Sequence, residues 1–434
     1  MIDVFVLDGN LKLAGVVDAY KSLIWVNRYK KPGDCEVYLD ASMENIALLS
    51  IGKYLVRSDD SMVCRIKKIE IDTAPENGNY LIVTGYDVKQ LVDQRIFWGK
   101  ATVNGNLEAF IRKIVNSSCA SNASDERKFL KDNGQQLLYL GSEAGLTVTE
   151  SEQISYKNVG EKIREYCEKY KFGYRVIRND EKLYFELFNG EDKTDTVIFS
   201  DEYENLSSTK YVDDSTDLAN VALIAGSGED AKRLTETIGN ATGINRYELF
   251  ADARDIAQVV TWEQLTETYP TTEQGGQGSI AFSGGNYVYK MASIDIQIVD
   301  EAQLEWLQDN YTGTVVTDAD GNRYFRTANA IIADLPSETP QQTDSCTLRK
   351  IVYSVYLLNR GAEKIAEHGE VKTFDGEVIP DVTFTYRTDY NLGDIVRVKN
   401  AFGIEANARI IEVVEVLDQN GYRIEPTFEW QGVN

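Results

Sequence analysis

Any histidine chemistry in this chain rests on one residue, His368. It closes a segment of helical spacing, where a cation-capable side chain ordinarily answers the carbonyl dipole of a helix end. With one histidine there is no His-Glu-x-x-His zinc pair, and a Ser-His-Asp or Cys-His triad would have to use His368 itself. The five cysteines, Cys35, Cys64, Cys119, Cys167 and Cys346, lie far apart and form no Cys-x-x-Cys pair. That argues against a disulfide framework and a structural zinc site, and predicts free, mostly buried thiols made in a reducing cytoplasm. Asp318-Ala319-Asp320-Gly321-Asn322 begins like a calcium loop. The sixth place, which needs glycine, is Arg323, and the twelfth, which needs glutamate, is Asn329. A tight hairpin with Asp-Gly at its corner is the expected structure. Gly226-Ser227-Gly228 follows the apolar run Val221 to Ala225 but lacks the lysine and hydroxyl, or the third glycine, of a phosphate loop. It reads as a strand-ending turn. A glycosidase needs two carboxylates at a defined separation. Asp252 and Asp255 are candidates, and nothing in the pattern separates them from solvated charge. Trp25, Trp98, Trp262, Trp306 and Trp430 have the chemistry to stack on sugars, and such residues more often anchor cores or interfaces. The expectation is therefore no catalytic residue, no cofactor and no metal ligand.

The elements that would position such residues are mostly strands. Residues 1–98 hold short strand-like runs separated by turn signals such as Asp8-Gly9-Asn10, Lys31-Pro32-Gly33-Asp34 and Asn77-Gly78-Asn79. The character changes near Gly99. Asn106 is a plausible N-cap for Leu107, Phe110, Ile111, Ile114 and Val115 at helical spacing. A polar stretch, Asn116 to Asn133, reads as a mobile surface loop. A second helix is predicted over Val159 to Tyr170, then a hairpin, Gly173 to Arg178 and Lys182 to Phe188, turning at Asn179-Asp180. From Thr196 the β character returns, with Val197 to Phe199, Ser208 to Tyr211 and Asn220 to Ala225. A lobe of different texture follows, rich in Gly, Gln, Ser and Thr, with a short helix near Glu301 to Asn310. A third helix spans about Leu348 to Glu367. Strands end the chain: Thr383 to Thr385, Ile395 to Val398, Ala408 to Leu417 and Gly421 to Phe428.

A formal charge of −24 repels phosphate backbones, which excludes sequence-independent nucleic-acid binding as the main activity. The same charge suits solubility, or a surface that DNA must pass without sticking. The opening MIDVFVLDGNLKL lacks a basic segment followed by an apolar one, so no signal peptide is expected, and no run has the length of a membrane span. Tyrosine is abundant, with 25 residues, which suits half-buried sheet surfaces and interfaces.

Ordered motifs then resemble a known family. Asp18-Ala19-Tyr20-Lys21-Ser22-Leu23-Ile24-Trp25-Val26-Asn27-Arg28-Tyr29 with Pro32-Gly33 is similar to the opening of siphophage tail-tip and baseplate hub proteins, the N-terminal hub part of tail-associated proteins. Gly85-Tyr86-Asp87, Leu91 and Arg95-Ile96 come next in order. Val197-Ile198-Phe199-Ser200, Asn205-Leu206, Asn220-Val221-Ala222, Ala225-Gly226-Ser227-Gly228 and Gly243-Ile244-Asn245-Arg246-Tyr247-Glu248 follow. Tyr390-Asn391-Leu392-Gly393-Asp394-Ile395-Val396 leads to Ala408-Arg409-Ile410. The motifs cover 1–260 and 348–434; the segment from about 263 to 347 departs from the pattern.

The resemblance implies a mainly β fold with α+β parts: two tail-tube-like antiparallel β-barrels, an α+β domain and an inserted lobe. The expected division is 1–98 first barrel, 99–195 α+β domain, 196–262 first part of the second barrel, 263–347 inserted lobe, 348–370 helix and 371–434 second part of the second barrel. It also implies a non-enzymatic homotrimer in the virion tail tip, made in the host cytoplasm. Its partners would be tail-tube and distal tail proteins above and a fibre or spike below. DNA would pass the lumen without specific binding, with no membrane insertion. The family carries no catalytic residues to transfer, and a lytic or fibre domain beyond Asn434 is not expected. Two other functions remain open: a cell-wall-degrading tail-tip enzyme using a carboxylate pair, and a receptor-binding protein whose lobe, with Tyr287, Tyr289 and Trp306, takes a surface polysaccharide.

Overall fold

Strand alternation and turn chemistry account for most of the chain. The computed structural model describes residues 2–74, 78–228, 233–298, 301–317, 323–379 and 383–431. It is mainly β, with 46% of residues in strands and 20% in helices. Asn77 and the whole Asp318 to Asn322 hairpin lie outside the described residues.

Six helices punctuate the described strands: α1 (Met43–Leu48), α2 (Leu107–Cys119), α3 (Val159–Tyr170), α4 (Trp262–Thr268), α5 (Glu301–Asn310) and α6 (Lys350–Glu367). Side-chain caps set their starts. Asn106 accepts from the Ala109 N–H at 2.7 Å and Asn158 from the Glu161 N–H at 3.0 Å. Thr261 and Gln264 form a reciprocal capping box on α4. Asn106 is thus the predicted cap, and α3 has the predicted bounds. Helix α2 runs into the polar stretch as far as Cys119, and Phe129 further along is buried. In α6 the run Ile351–Gly361 is buried on every side, the mark of a central rather than a surface helix.

The largest sheet has 13 strands. From one edge its order is Leu206–Asp214, Val371–Val378, Gly421–Trp430, Glu405–Asp418, Ser22–Arg28, Asp34–Asp40, Gly78–Asp87, Val63–Ala74, Tyr54–Arg57, Val4–Leu7 and Leu13–Val17. Ile395–Lys399 joins beside Glu405–Asp418 and carries Ile198–Ser200 in parallel. This corrects the expectation of two antiparallel barrels: no closed barrel is found among the described residues. The reason lies in Glu405–Asp418. Its first part pairs with Ile395–Lys399 in the register Ile395↔Arg409, and its second part pairs with Ser22–Arg28 in the register Val26↔Val414. One long strand therefore splices the beginning of the chain to its end, and Ser22–Arg28 is no longer free to close on its own neighbours. Separate apolar clusters fill the two ends of the sheet, one around Trp25, Val37 and Val83, the other around Phe199, Val396 and Phe428.

Smaller sheets flank it. Lys100–Asn106 pairs with Thr149–Ser155, and Gly173–Asn179 with Lys182–Phe188 and Leu138–Leu140. Val221–Ala225 pairs with Thr235–Ile238 and Glu248–Asp252 against α6 rather than joining the 13-stranded sheet. A six-stranded sheet centred on Asn286–Gln297 and Arg323–Leu335 fills the segment of different texture. The segment Thr383 to Thr385, expected as a strand, is irregular instead and leads into a turn at Arg387 to Asp389, whose Asp389 carboxylate accepts from the Thr385 N–H at 2.7 Å.

Candidate functional site

Chemistry in this fold is concentrated in buried charge at the junctions between elements. Glu152 projects inward from Thr149–Ser155 and meets Lys162 of α3 at 2.9 Å and Arg360 of α6 at 3.3 Å. Lys162 also pairs with Glu165 at 2.9 Å and with Glu363. Arg360 reaches Asp255 at 3.0 Å and Glu363 at 3.4 Å, and the Tyr166 hydroxyl donates to Glu152 at 2.8 Å. The side chains of Lys162, Glu152, Arg360 and Glu363 are at most 2% exposed. Burial alone would lower the Lys162 and Arg360 pKa values, but the surrounding carboxylates outweigh it and both are raised. Both cations stay charged at every physiological pH, so the cluster ties elements together rather than moving protons.

A second junction is built on Tyr29, just past Ser22–Arg28. Its N–H donates to Ile411 at 2.8 Å and its hydroxyl to the Phe188 carbonyl at 3.2 Å. A Cβ on Gly173 or Gly393 would overlap the Tyr29 ring, so glycine at those places is what lets the ring sit between the two segments. Burial pushes the phenol up to about 12. Nearby, Lys30 pairs with Glu168 at 2.7 Å and Glu429 at 2.8 Å, while Arg57 meets Glu415 at 2.9 Å. The beginning, middle and end of the chain meet here.

The residues that sequence reasoning singled out are dispersed. Asp255 is taken up by Arg360 and Lys157: burial raises its pKa, the two cations more than offset this, and it stays below the usual carboxylate range. Asp252 is held low by hydrogen bonds from Arg254, with Arg233 adding to the effect. Each carboxylate is occupied by arginine, so the two do not make an acid and base pair. His368 is the C-cap residue of α6 and its carbonyl accepts from the Ala219 N–H at 2.8 Å. In the Gly226-Ser227-Gly228 turn the Ser227 N–H donates to the Tyr353 hydroxyl at 2.7 Å, which anchors the turn on α6. All five cysteines are buried and free. No group of residues suited to hold a metal ion occurs among the described residues. Trp25 is fully buried, whereas Trp98 is 65% exposed.

Two kinds of surface stay open. The large sheet ends in the edge strands Leu13–Val17 and Leu206–Asp214, and Leu13 and Val16 leave their side chains exposed on the first. A cleft of about 850 Å³ lies between Thr149–Ser155 and the lobe sheet, lined by Asn104, Thr149, Gln277, Asp295, Tyr324 and Arg326. Thr149 and Tyr324 hydroxyls bond across it at 2.8 Å, and Arg326 grips Asp295 with two bonds of 2.7 and 2.6 Å.

Sequence reasoning missed Glu150, Glu152, Lys162 and Arg360. The signal was a polar strand, Thr-Glu-Ser-Glu-Gln-Ile-Ser over 149–155, set before a helix carrying Lys162 and Lys169; apolar periodicity is blind to it.

Comparison with known proteins gives three findings. The model of the family described as Siphovirus ReqiPepy6 Gp37-like protein matches residues 3–428, a span that includes the lobe. No curated protein matches. Among solved structures, the prophage MuSo2 43 kDa tail protein from Shewanella oneidensis superposes with a TM-score of 0.50 at 8% identity, covering 98% of each chain. The tail protein from Neisseria meningitidis MC58 gives 0.49 at 8% identity, covering 100% of this chain and 97% of its own. Prophage tail protein gp18 from Listeria monocytogenes EGD-e gives 0.45 at 11% identity, covering 98% and 94%.

Proposed function

Because the chain belongs to the Siphovirus ReqiPepy6 Gp37-like family, we propose that it is a structural hub of a phage tail tip or baseplate. It works in the virion as a homotrimeric ring that continues the tail tube and joins it to a fibre or spike. The observation that carries this reading is the 13-stranded sheet, whose main run among the described residues ends in the edge strands Leu13–Val17 and Leu206–Asp214. Such edges leave backbone N–H and C=O groups open to pairing, and a monomer would be expected to blunt them. Head-to-tail association of copies covers them and, when the rotation closes, makes a ring. The tail-protein fold shared with the Shewanella structure supports the same role. A net charge of −24 suits a lumen through which DNA slides without binding. The buried ion pairs at Lys162 and Tyr29's glycine seat suit a part that must keep its shape under force: they hold distant segments of the chain in one arrangement. Catalysis has no place in this reading, since Asp252 and Asp255 are each neutralised by arginine.

The test is negative-stain imaging of the purified chain. Threefold rings with a central hole are expected. Compact single particles that also fail to enter tails in the presence of tube and distal tail proteins would reject the hub.

A second reading is favoured by the 850 Å³ cleft beside the lobe. Its size falls among small-ligand sites and its amides, hydroxyls and ion pair suit a hydroxyl-rich polysaccharide. Removing the lobe, about 263–347, should then abolish host adsorption; unchanged adsorption discards this role. Zymography on cell walls separates both readings from a wall-degrading enzyme, which alone clears the substrate.

A further inference from the structure

Charge decides what the cleft beside the lobe can hold. Its walls come from two parts of the chain. Thr149–Ser155 and its partner Lys100–Asn106 form one side, and Asn286–Gln297 with Arg323–Leu335 of the lobe sheet form the other. Among the described residues that line it, three are charged: Glu150, Asp295 and Arg326. None of them is free to meet a charge on a ligand. The Glu150 side chain is 1% exposed and both its oxygens are taken. One accepts from the Ser151 N–H at 2.8 Å, the other from Lys169 at 2.6 Å and from the Tyr170 hydroxyl at 2.9 Å. Asp295 and Arg326 face each other on adjacent strands and neutralise one another through bonds of 2.7 and 2.6 Å. Such a bidentate pair carries no net charge, yet it keeps N–H donors and carboxylate lone pairs for further hydrogen bonds.

What remains for a ligand is neutral. Among the described residues, the side chains of Asn104 and Ser151 on the first wall have no hydrogen-bond partner in the protein. An amide and a hydroxyl both donate and accept, and so does each hydroxyl of a sugar. Gln277 and Thr317 line the cleft with the same chemistry, and Met291 and Val316 add apolar surface for the C–H faces of sugar rings. A polymer bearing phosphates or uronates meets a different balance. Its anions would leave water without gaining an unpaired cation, and burying an unpaired charge is costly. The chain's net charge of −24 adds repulsion at longer range.

We infer that the cleft takes an uncharged glycan and rejects anionic wall polymers. The inference rests on the polysaccharide reading of the same cleft and narrows it to one chemical class. Asn104 and Ser151 bond the sugar hydroxyls from one side, and the Asp295–Arg326 pair meets them from the other. No ion pair forms with the ligand, so binding depends little on salt.

The test is binding of the full chain to an array of purified microbial polysaccharides, neutral ones beside phosphate- and uronate-bearing ones, at low and high salt. Neutral members should be bound at both salts and acidic members at neither. Ser151→Ala and Arg326→Ala should each weaken the neutral signal by roughly fivefold, the loss of about one hydrogen bond. Asn104→Lys changes an exposed residue, so the fold is spared, and it adds one free cation to the wall. It should admit acidic members that the wild type refuses. Acidic members bound by the wild type, with the signal lost in Ser151→Ala, overturn the charge argument and leave the polysaccharide site standing. Neutral members bound equally by all three variants overturn the assignment to this cleft. An array on which nothing is bound overturns both the inference and the polysaccharide reading, and leaves the hub to its own test.

Discussion

Lys162 shows how much a single side chain carries in this protein. Its ammonium is 1% exposed and faces Glu152, Glu165 and Glu363. Removing one partner of a buried ion cluster leaves the others charged and without water, which costs about 3–5 kcal/mol. Lys162→Ala should lower stability by that amount in urea denaturation. Lys364→Ala, which touches Glu367 at 2.8 Å with both side chains near 30% exposed, should change it by less than about 1 kcal/mol. Similar losses for both variants would mean that the buried cluster is not the fastening described here. Lys162 was invisible to periodicity, since a lysine on a helix is ordinarily solvent-facing, and the carboxylates of Glu152, Glu165 and Glu363, brought together from a strand and two helices, explain its burial.

At the scale of elements, α6 and Glu405–Asp418 join the most distant parts. Helix α6 packs on Val221–Ala225 and on α3, and its Leu357 is fully buried in the apolar cluster that also holds Tyr289 and Ile332. Leu357→Ala should cost about 2–5 kcal/mol, read from the shift of the urea midpoint at constant slope. A loss under 1 kcal/mol would mean that the helix is not as central as its burial implies. α3 was legible to its ends because Asn158 caps it and its apolar residues recur at helical spacing. The strand Thr149–Ser155 was not, because Glu150, Glu152 and Gln153 are the residues it turns inward. Strand pairing was legible for hairpins joined by a turn, such as Gly173–Asn179 with Lys182–Phe188, and illegible for Ser22–Arg28 with Glu405–Asp418, whose partners lie hundreds of residues apart.

For the whole molecule, acid should loosen the junctions. Asp60, Asp255 and Glu429 are each raised by burial and lowered more strongly by a nearby cation, namely Arg387, Arg360 and Lys30, so the net pKa is depressed. A depressed carboxylate binds protons less readily folded than unfolded. Its contribution is therefore complete above the ordinary carboxylate range and is lost as pH falls through the lowered folded value. Asp87 and Asp394 are raised by burial and act in the opposite sense. The clean measurement is a difference: Asp255→Asn should destabilise the chain at pH 7 and progressively less on acidification, until the two proteins coincide. A difference that is flat with pH would contradict the Arg360 pairing. Lys162 and Lys30 are raised, so their contribution is full below the ordinary lysine range and is lost only as pH climbs through the higher folded values.

By itself the sequence determined the β-rich class, the helices at 107, 159 and 350, the burial of the cysteines, and the family, whose motifs recur in order from Asp18 to Ile410 and whose match runs from 3 to 428. Those features are local: caps, turns and apolar spacing act within a few residues of themselves, and short motifs survive reading one at a time. Tertiary structure alone decided that two strand-rich portions share one sheet, that acidic residues point inward to Lys162 and Arg360, and that the Tyr29 ring is seated against Gly173 and Gly393. Each of these depends on contacts between segments far apart in the chain, and no local preference encodes which distant strand or side chain will be met.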